Sequence, residues 1–90
     1  MKKALETKIR KSFQEMYMNY SDEEDVNTIK EYIDAEYELS DLMVYSLETL
    51  VESELLEEEE KEELENLVNK LRDLLEEMLW ERIYEIEETA

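Results

Sequence analysis

Apolar residues return every third or fourth position along almost the whole chain, the repeat of one face of an α-helix. Leu5, Ile9, Phe13, Met16 and Tyr20 form the first stripe and predict a helix over residues 3–19. Ser21-Asp22-Glu23-Glu24 then reads as a capping box, with serine at the N-cap and glutamate three residues on. A second helix therefore starts at residue 22. Its stripe is Val26, Ile29, Ile33, Tyr37, Val44, Leu47, Val51 and Leu55, with a gap at Ser40 but the same phase on both sides. That continuity favours one helix over 22–54; a break at Leu39-Ser40-Asp41, with Ser40 as a further cap, would make four helices instead of three. A second row (Tyr32, Leu39, Met43 and Leu50) lies ~60–100° away around the helix. Two apolar rows suit a central helix that touches neighbours on both sides.

Residues 53–56 mark the next turn, and the glutamates at 57–60 complement the positive end of a helix dipole. The last helix, 57–87, has the widest seam: Leu64, Leu67, Val68, Leu71, Leu74, Leu75, Met78, Leu79, Ile83 and Ile86. The pattern predicts an all-α antiparallel bundle, one domain over 1–90, in which a short basic helix packs on a long acidic helical hairpin. At 1.5 Å per residue the two long helices span ~45–50 Å and the first only ~25 Å. The uncovered part of the hairpin calls for a bend, a break or a second copy, so a homodimer is a reasonable expectation.

Composition removes most chemistry. Glycine, proline, cysteine and histidine are all absent. Turns must be built from Ser, Asn and Asp. No imidazole base, thiol nucleophile, disulfide, His/Cys metal site or glycine-rich phosphate loop is possible. Glu58-Glu59-Glu60-Lys61-Glu62 resembles the EExxE half of the MazG-like nucleotide pyrophosphatase motif, which implies a divalent metal and nucleotide hydrolysis. The ExxD half should follow it, yet the matches here, Glu31 to Asp34 and Glu38 to Asp41, come before it. The chain is accordingly read as non-enzymatic, with no catalytic residue, cofactor or metal.

Charge points to the partner. The 28 acidic and 10 basic residues leave a net charge of −18. Residues 1–20 carry five basic and two acidic side chains, a net of +3, and residues 21–90 a net of −21. Such a surface repels nucleic acid and anionic membranes and attracts basic proteins. No apolar run reaches the ~18 residues of a membrane span, and the N-terminus lacks a secretory hydrophobic stretch, so a cytoplasmic location is expected.

The most specific pattern is a ridge on the second helix. Glu31, Asp34, Glu38, Asp41, Tyr45, Glu48 and Glu52 follow spacings of three and four away from the apolar stripe, with no lysine between them. Like charges at i,i+4 cost a few tenths of a kcal/mol per pair. The last helix repeats the theme with Glu58, Glu62, Glu65, Asp73, Glu76 and Glu77. Duplex DNA carries one charge per ~1.7 Å of axis; 21 charges over a ~50 Å hairpin is about one per 2.4 Å. The chain is in this respect similar in size and charge to the small acidic inhibitors that phages and archaeal viruses direct at DNA- and RNA-handling proteins. The expected function is a nucleic-acid-mimicking inhibitor or decoy that fills a cationic groove and binds no nucleic acid itself. The alternative is a coiled-coil-like oligomerisation or adaptor protein, in which Trp80 and Tyr84, paired at i,i+4 away from the seam, make an oligomer or partner contact. Leu42 is a fainter outward apolar position, and Arg82, inside the seam, is expected to pair with an acid such as Glu36 or Glu54.

Crowding on this scale opposes folding through self-repulsion. Protonating carboxylates or screening them relieves it. The melting temperature is expected to rise from pH 7 towards pH 5 and on adding salt; scanning calorimetry across both variables checks this, and a fall in both would show the acids to be evenly paired.

Overall fold

The computed structural model describes residues 1–89. The chain folds as an all-α bundle of three helices: α1 (Lys2–Tyr20), α2 (Val26–Glu52) and α3 (Glu58–Thr89). Lys2 of α1 pairs with Glu63 near the start of α3, and Tyr20 shares a cleft with Leu79 and Arg82 further along, so these two helices run parallel. α2 runs against both: Glu48 meets Lys61, and Tyr37 meets Glu76. The result is an up-down-up rod of 52 × 18 × 16 Å.

The core is a single column of Ile9, Phe13 and Met16 from α1, Ile29, Ile33 and Leu47 from α2, and Leu64, Val68, Leu75, Leu79 and Ile83 from α3. Its members come from the stripes at helical spacing, each buried aliphatic side chain contributing about 1.5–3 kcal/mol. The central helix is α3, not α2. It packs on both of its neighbours, whereas α1 and α2 meet only sparingly. The second row of α2 is half-buried beside the thin α1–α2 groove, and Leu39 within it is exposed.

The start of α2 differs from the sequence reading. Ser21 does not cap α2. It follows the last turn of α1 with helical dihedrals, and its Oγ donates to the Met18 carbonyl. Asp25 is the N-cap, accepting from the Asn27 N–H and from Thr28 Oγ1. Glu23 closes the link between them, accepting from the N–H groups of Glu24 and Asp25 and from the Tyr32 hydroxyl. Tyr20 and Tyr32 stack across this corner at 4.2 Å. α2 is continuous through Ser40, whose buried hydroxyl donates to the Glu36 carbonyl instead of capping a new helix. The later start of α2 shortens the hairpin, and Leu56, buried from the second loop, plugs its far end.

That second loop leaves α2 through a Schellman motif: Leu55 N–H donates to the Leu50 carbonyl and Glu54 N–H to Val51. Glu54 sits at φ 61°, the left-handed position that glycine fills without a Cβ penalty. Glu57 then opens α3: its carbonyl accepts from Lys61 N–H, and its own N–H donates to the Glu60 carboxylate. Glu58, Glu59 and Glu60 in the first turn complement the dipole.

Glu36 departs from the apolar core. It is fully buried, and neither carboxylate oxygen has a hydrogen-bond partner among the described residues. Burial, reinforced by Glu76 and opposed by Arg72, pushes its carboxyl up from 4.5 to about 7. A raised native value stabilises the fold fully below the unfolded value and is lost as pH rises through about 7. Glu36→Gln should therefore melt within a few degrees of the parent near pH 4.5 and well above it near pH 8, by on the order of 2 kcal/mol; equal curves at both pH values would contradict the burial argument. Glu54→Gly should add about 0.5–1 kcal/mol in urea denaturation by removing the left-handed strain; a loss of stability would count against the motif.

Candidate protein-binding surface

All seven ridge residues of α2, Glu31, Asp34, Glu38, Asp41, Tyr45, Glu48 and Glu52, are exposed along one line of the rod. From Glu31 to Glu52 the helix holds no lysine or arginine; Lys30 stands at its start. Among the described residues only Glu48 of the seven has a cationic partner, Lys61 at 3.8 Å. Two apolar side chains stand out on this acidic face: Leu42, 60% exposed, and Tyr45, 68% exposed.

The acids of α3 lie on the adjoining surface. Glu58, Glu62, Asp73 and Glu77 are exposed, and Glu65 and Glu76 are half-buried at the seam with α2. Lys61 bridges the two faces, reaching Glu58 at 3.6 Å and Glu65 at 4.0 Å besides Glu48. Further along, the Tyr37 hydroxyl donates to Glu76 at 2.7 Å, and this bond holds the phenol above its usual value. Arg72 lies over the Tyr37 ring at 5.1 Å and pairs with Asp73 at 3.3 Å. The two acid rows thus form one continuous surface across the α2–α3 seam. α1, with its lysines, packs on the other flank of α3.

Charge is segregated across the thickness of the rod. On α1, Lys2 is held by Glu63 and Arg10 by Glu6, while Lys3, Lys8 and Lys11 have no ion pair among the described residues. The hydrogen bond to Glu63 raises the Lys2 ammonium above its ordinary value.

The cluster of buried Glu36, half-buried Arg72 and exposed Tyr37 was not singled out from sequence as a group. Its signal was the phase of the stripe: Ile29, Ile33, Glu36, Ser40 and Leu47 are the buried positions of α2, so Glu36 rather than Tyr37 fills the inward place. Arg82 pairs with neither Glu36 nor Glu54. Its Nε donates to the Glu23 carbonyl and its Nη1 lies 3.7 Å from Glu85, so it fastens the first loop to α3. Trp80 is half-buried against the core, and Tyr84 is exposed with its ring 6.2 Å from the indole.

Among the described residues no group of three or more Asp and Glu side chains is placed to hold a metal ion, and no helix is long and apolar enough to cross a membrane. No family model, curated protein or solved structure matches the chain.

Proposed function

We propose that the protein is a non-enzymatic acidic binding module that occupies the cationic groove of a DNA- or RNA-handling protein as an inhibitor or decoy. The observation that supports this reading is the exposed ridge from Glu31 to Glu52, in which five of six carboxylates have no cationic partner among the described residues. A solvated helix normally mixes signs, because unrelieved like charges weaken it. Eighteen net charges on a rod 52 Å long amount to about one per 2.9 Å, the order of a polynucleotide. A groove built for phosphates releases its own counterions onto such a rod, as it does onto nucleic acid. The α3 acids Glu58, Glu62, Glu65, Asp73, Glu76 and Glu77 widen the charged strip, and Tyr45 with Leu42 supplies an apolar contact within it.

The test is capture from a host lysate at low salt, followed by challenge of the captured protein with a DNA oligonucleotide. Affinity is expected to fall by about 10³ between ~50 and ~200 mM salt, the dependence of six or more phosphate-like contacts. The oligonucleotide should release the complex, and the triple variant Glu38→Lys, Asp41→Lys, Glu48→Lys should lose binding at least ~100-fold. Binding that ignores salt, survives the triple variant or coexists with the oligonucleotide overturns the reading.

A further inference from the structure

We infer that two copies of the chain associate antiparallel through the cleft between α1 and α3. The cleft has a volume of about 360 Å³ and an apolar wall of Phe13, Tyr17, Leu71, Leu74, Leu75 and Met78. Leu74 is 54% exposed and Tyr17 52% exposed, although Leu74 belongs to the seam of the central helix. The protein's own three helices leave it uncovered. A two-fold axis near Leu74 sets the leucine of each copy into the cleft of the other, a self-complementary contact.

Charge selects this face for a second copy. It lies on the α1 flank, away from the surface that joins the α2 and α3 acids. Two chains of −18 each therefore approach here against the least repulsion. Charge also changes along the cleft. Lys2, Arg10 and Lys70 line its lower end with Glu6 and Glu63, and Glu81 and Glu85 line its upper end with Arg82. Lys2 and Arg10 are engaged by Glu63 and Glu6, and Arg82 by Glu85. Lys70 and Glu81 have no ion pair among the described residues. Antiparallel docking turns the Lys70 end of one copy towards the Glu81 end of the other, and parallel docking would oppose like charges.

The contact is small. From the level of Glu63 to that of Glu85 the cleft runs ~33 Å along α3 at 1.5 Å per residue, on a rod 16 Å thick. That outlines about 500 Å² per copy and about 1,000 Å² together, the lower bound of a specific interface. The association is therefore weak and reversible, and it leaves the acidic surface of each copy open.

Sedimentation equilibrium of the full chain at about 0.05 and 0.5 M NaCl tests it. Dimers are expected at ~100 µM chain in the higher salt and monomers in the lower, because screening removes the repulsion between the two net charges. This sign is opposite to that expected for a cationic partner, so one reading can fail without the other. Leu74→Glu, at an exposed position, should weaken self-association at least ~10-fold with the helical circular dichroism unchanged. Lys70→Glu should weaken it as well, and Lys70→Glu combined with Glu81→Lys should restore it. A monomer in both salts, a dimer indifferent to Leu74→Glu, or no rescue by the double reversal overturns the inference.

Discussion

The bundle depends on the width of the apolar seam of α3. A helix buries a second neighbour only if its stripe extends over enough of its circumference to meet both. The α3 seam does this with many positions: Leu67, Leu71, Leu75, Met78 and Leu79 line the clefts with α1, and Leu64, Val68 and Ile83 are buried in the shared core. Because α3 serves both partners, α1 and α2 need little contact with each other, and a 19-residue helix suffices beside helices of 27 and 32 residues. Leu56 at one end and the Glu23 corner, tied to Arg82 and Tyr32, at the other close what α1 does not reach.

The same arrangement sorts the charge. With one helix in the middle, its two exposed flanks face different neighbours. Glu58, Glu62, Glu65, Asp73, Glu76 and Glu77 fall on the flank shared with α2, whereas Glu63, Glu81 and Glu85 line the α1 side together with Lys2, Arg10 and Arg82. Lys61, Tyr37 and Arg72 lie along that seam and tie the rows together without neutralising the ridge, since their bonds go mostly to α3 carboxylates. The basic helix occupies the opposite flank. A rod with one strongly negative side and one nearly balanced side offers two surfaces with opposite responses to salt.

Glu36 sets the limit on how tightly the seam is specified. An ionised carboxylate without hydrogen bonds is costly in a low-dielectric core, and the physical response is to hold the proton. Arg72, whose charge opposes this, is engaged instead by the Tyr37 ring and Asp73, and its own buried Nε has no hydrogen-bond partner among the described residues. Ser40, one turn further on, satisfies its hydroxyl within the helix backbone and so contributes no bond to Glu36 Oε1 or Oε2. The centre of the α2–α3 contact is thus a polar gap in an otherwise apolar column. Stability there responds to pH through burial rather than through crowding at the surface.

The sequence by itself determined an all-α fold, roughly where its helices lie, and which residues of α2 form an exposed acidic line; it favoured a continuous α2 but left a break at Ser40 open. These follow from local spacing and propensity, which act within a few turns and need no knowledge of neighbours. It misassigned the cap of α2 to Ser21, four residues before the Asp25 that caps it, where Tyr20 at the end of α1 stacks on Tyr32 of α2. It misassigned the central helix, because both long stripes are wide and only packing shows which one is shared. It could not find the partner of Arg82, a backbone carbonyl 59 residues away, since a carbonyl carries no sequence signature. The isolation of Glu36, the joining of two acid rows into one surface and the uncovered Leu74 were decided by tertiary structure alone, because each depends on the rotation of one helix against another, which periodicity along a single helix does not encode.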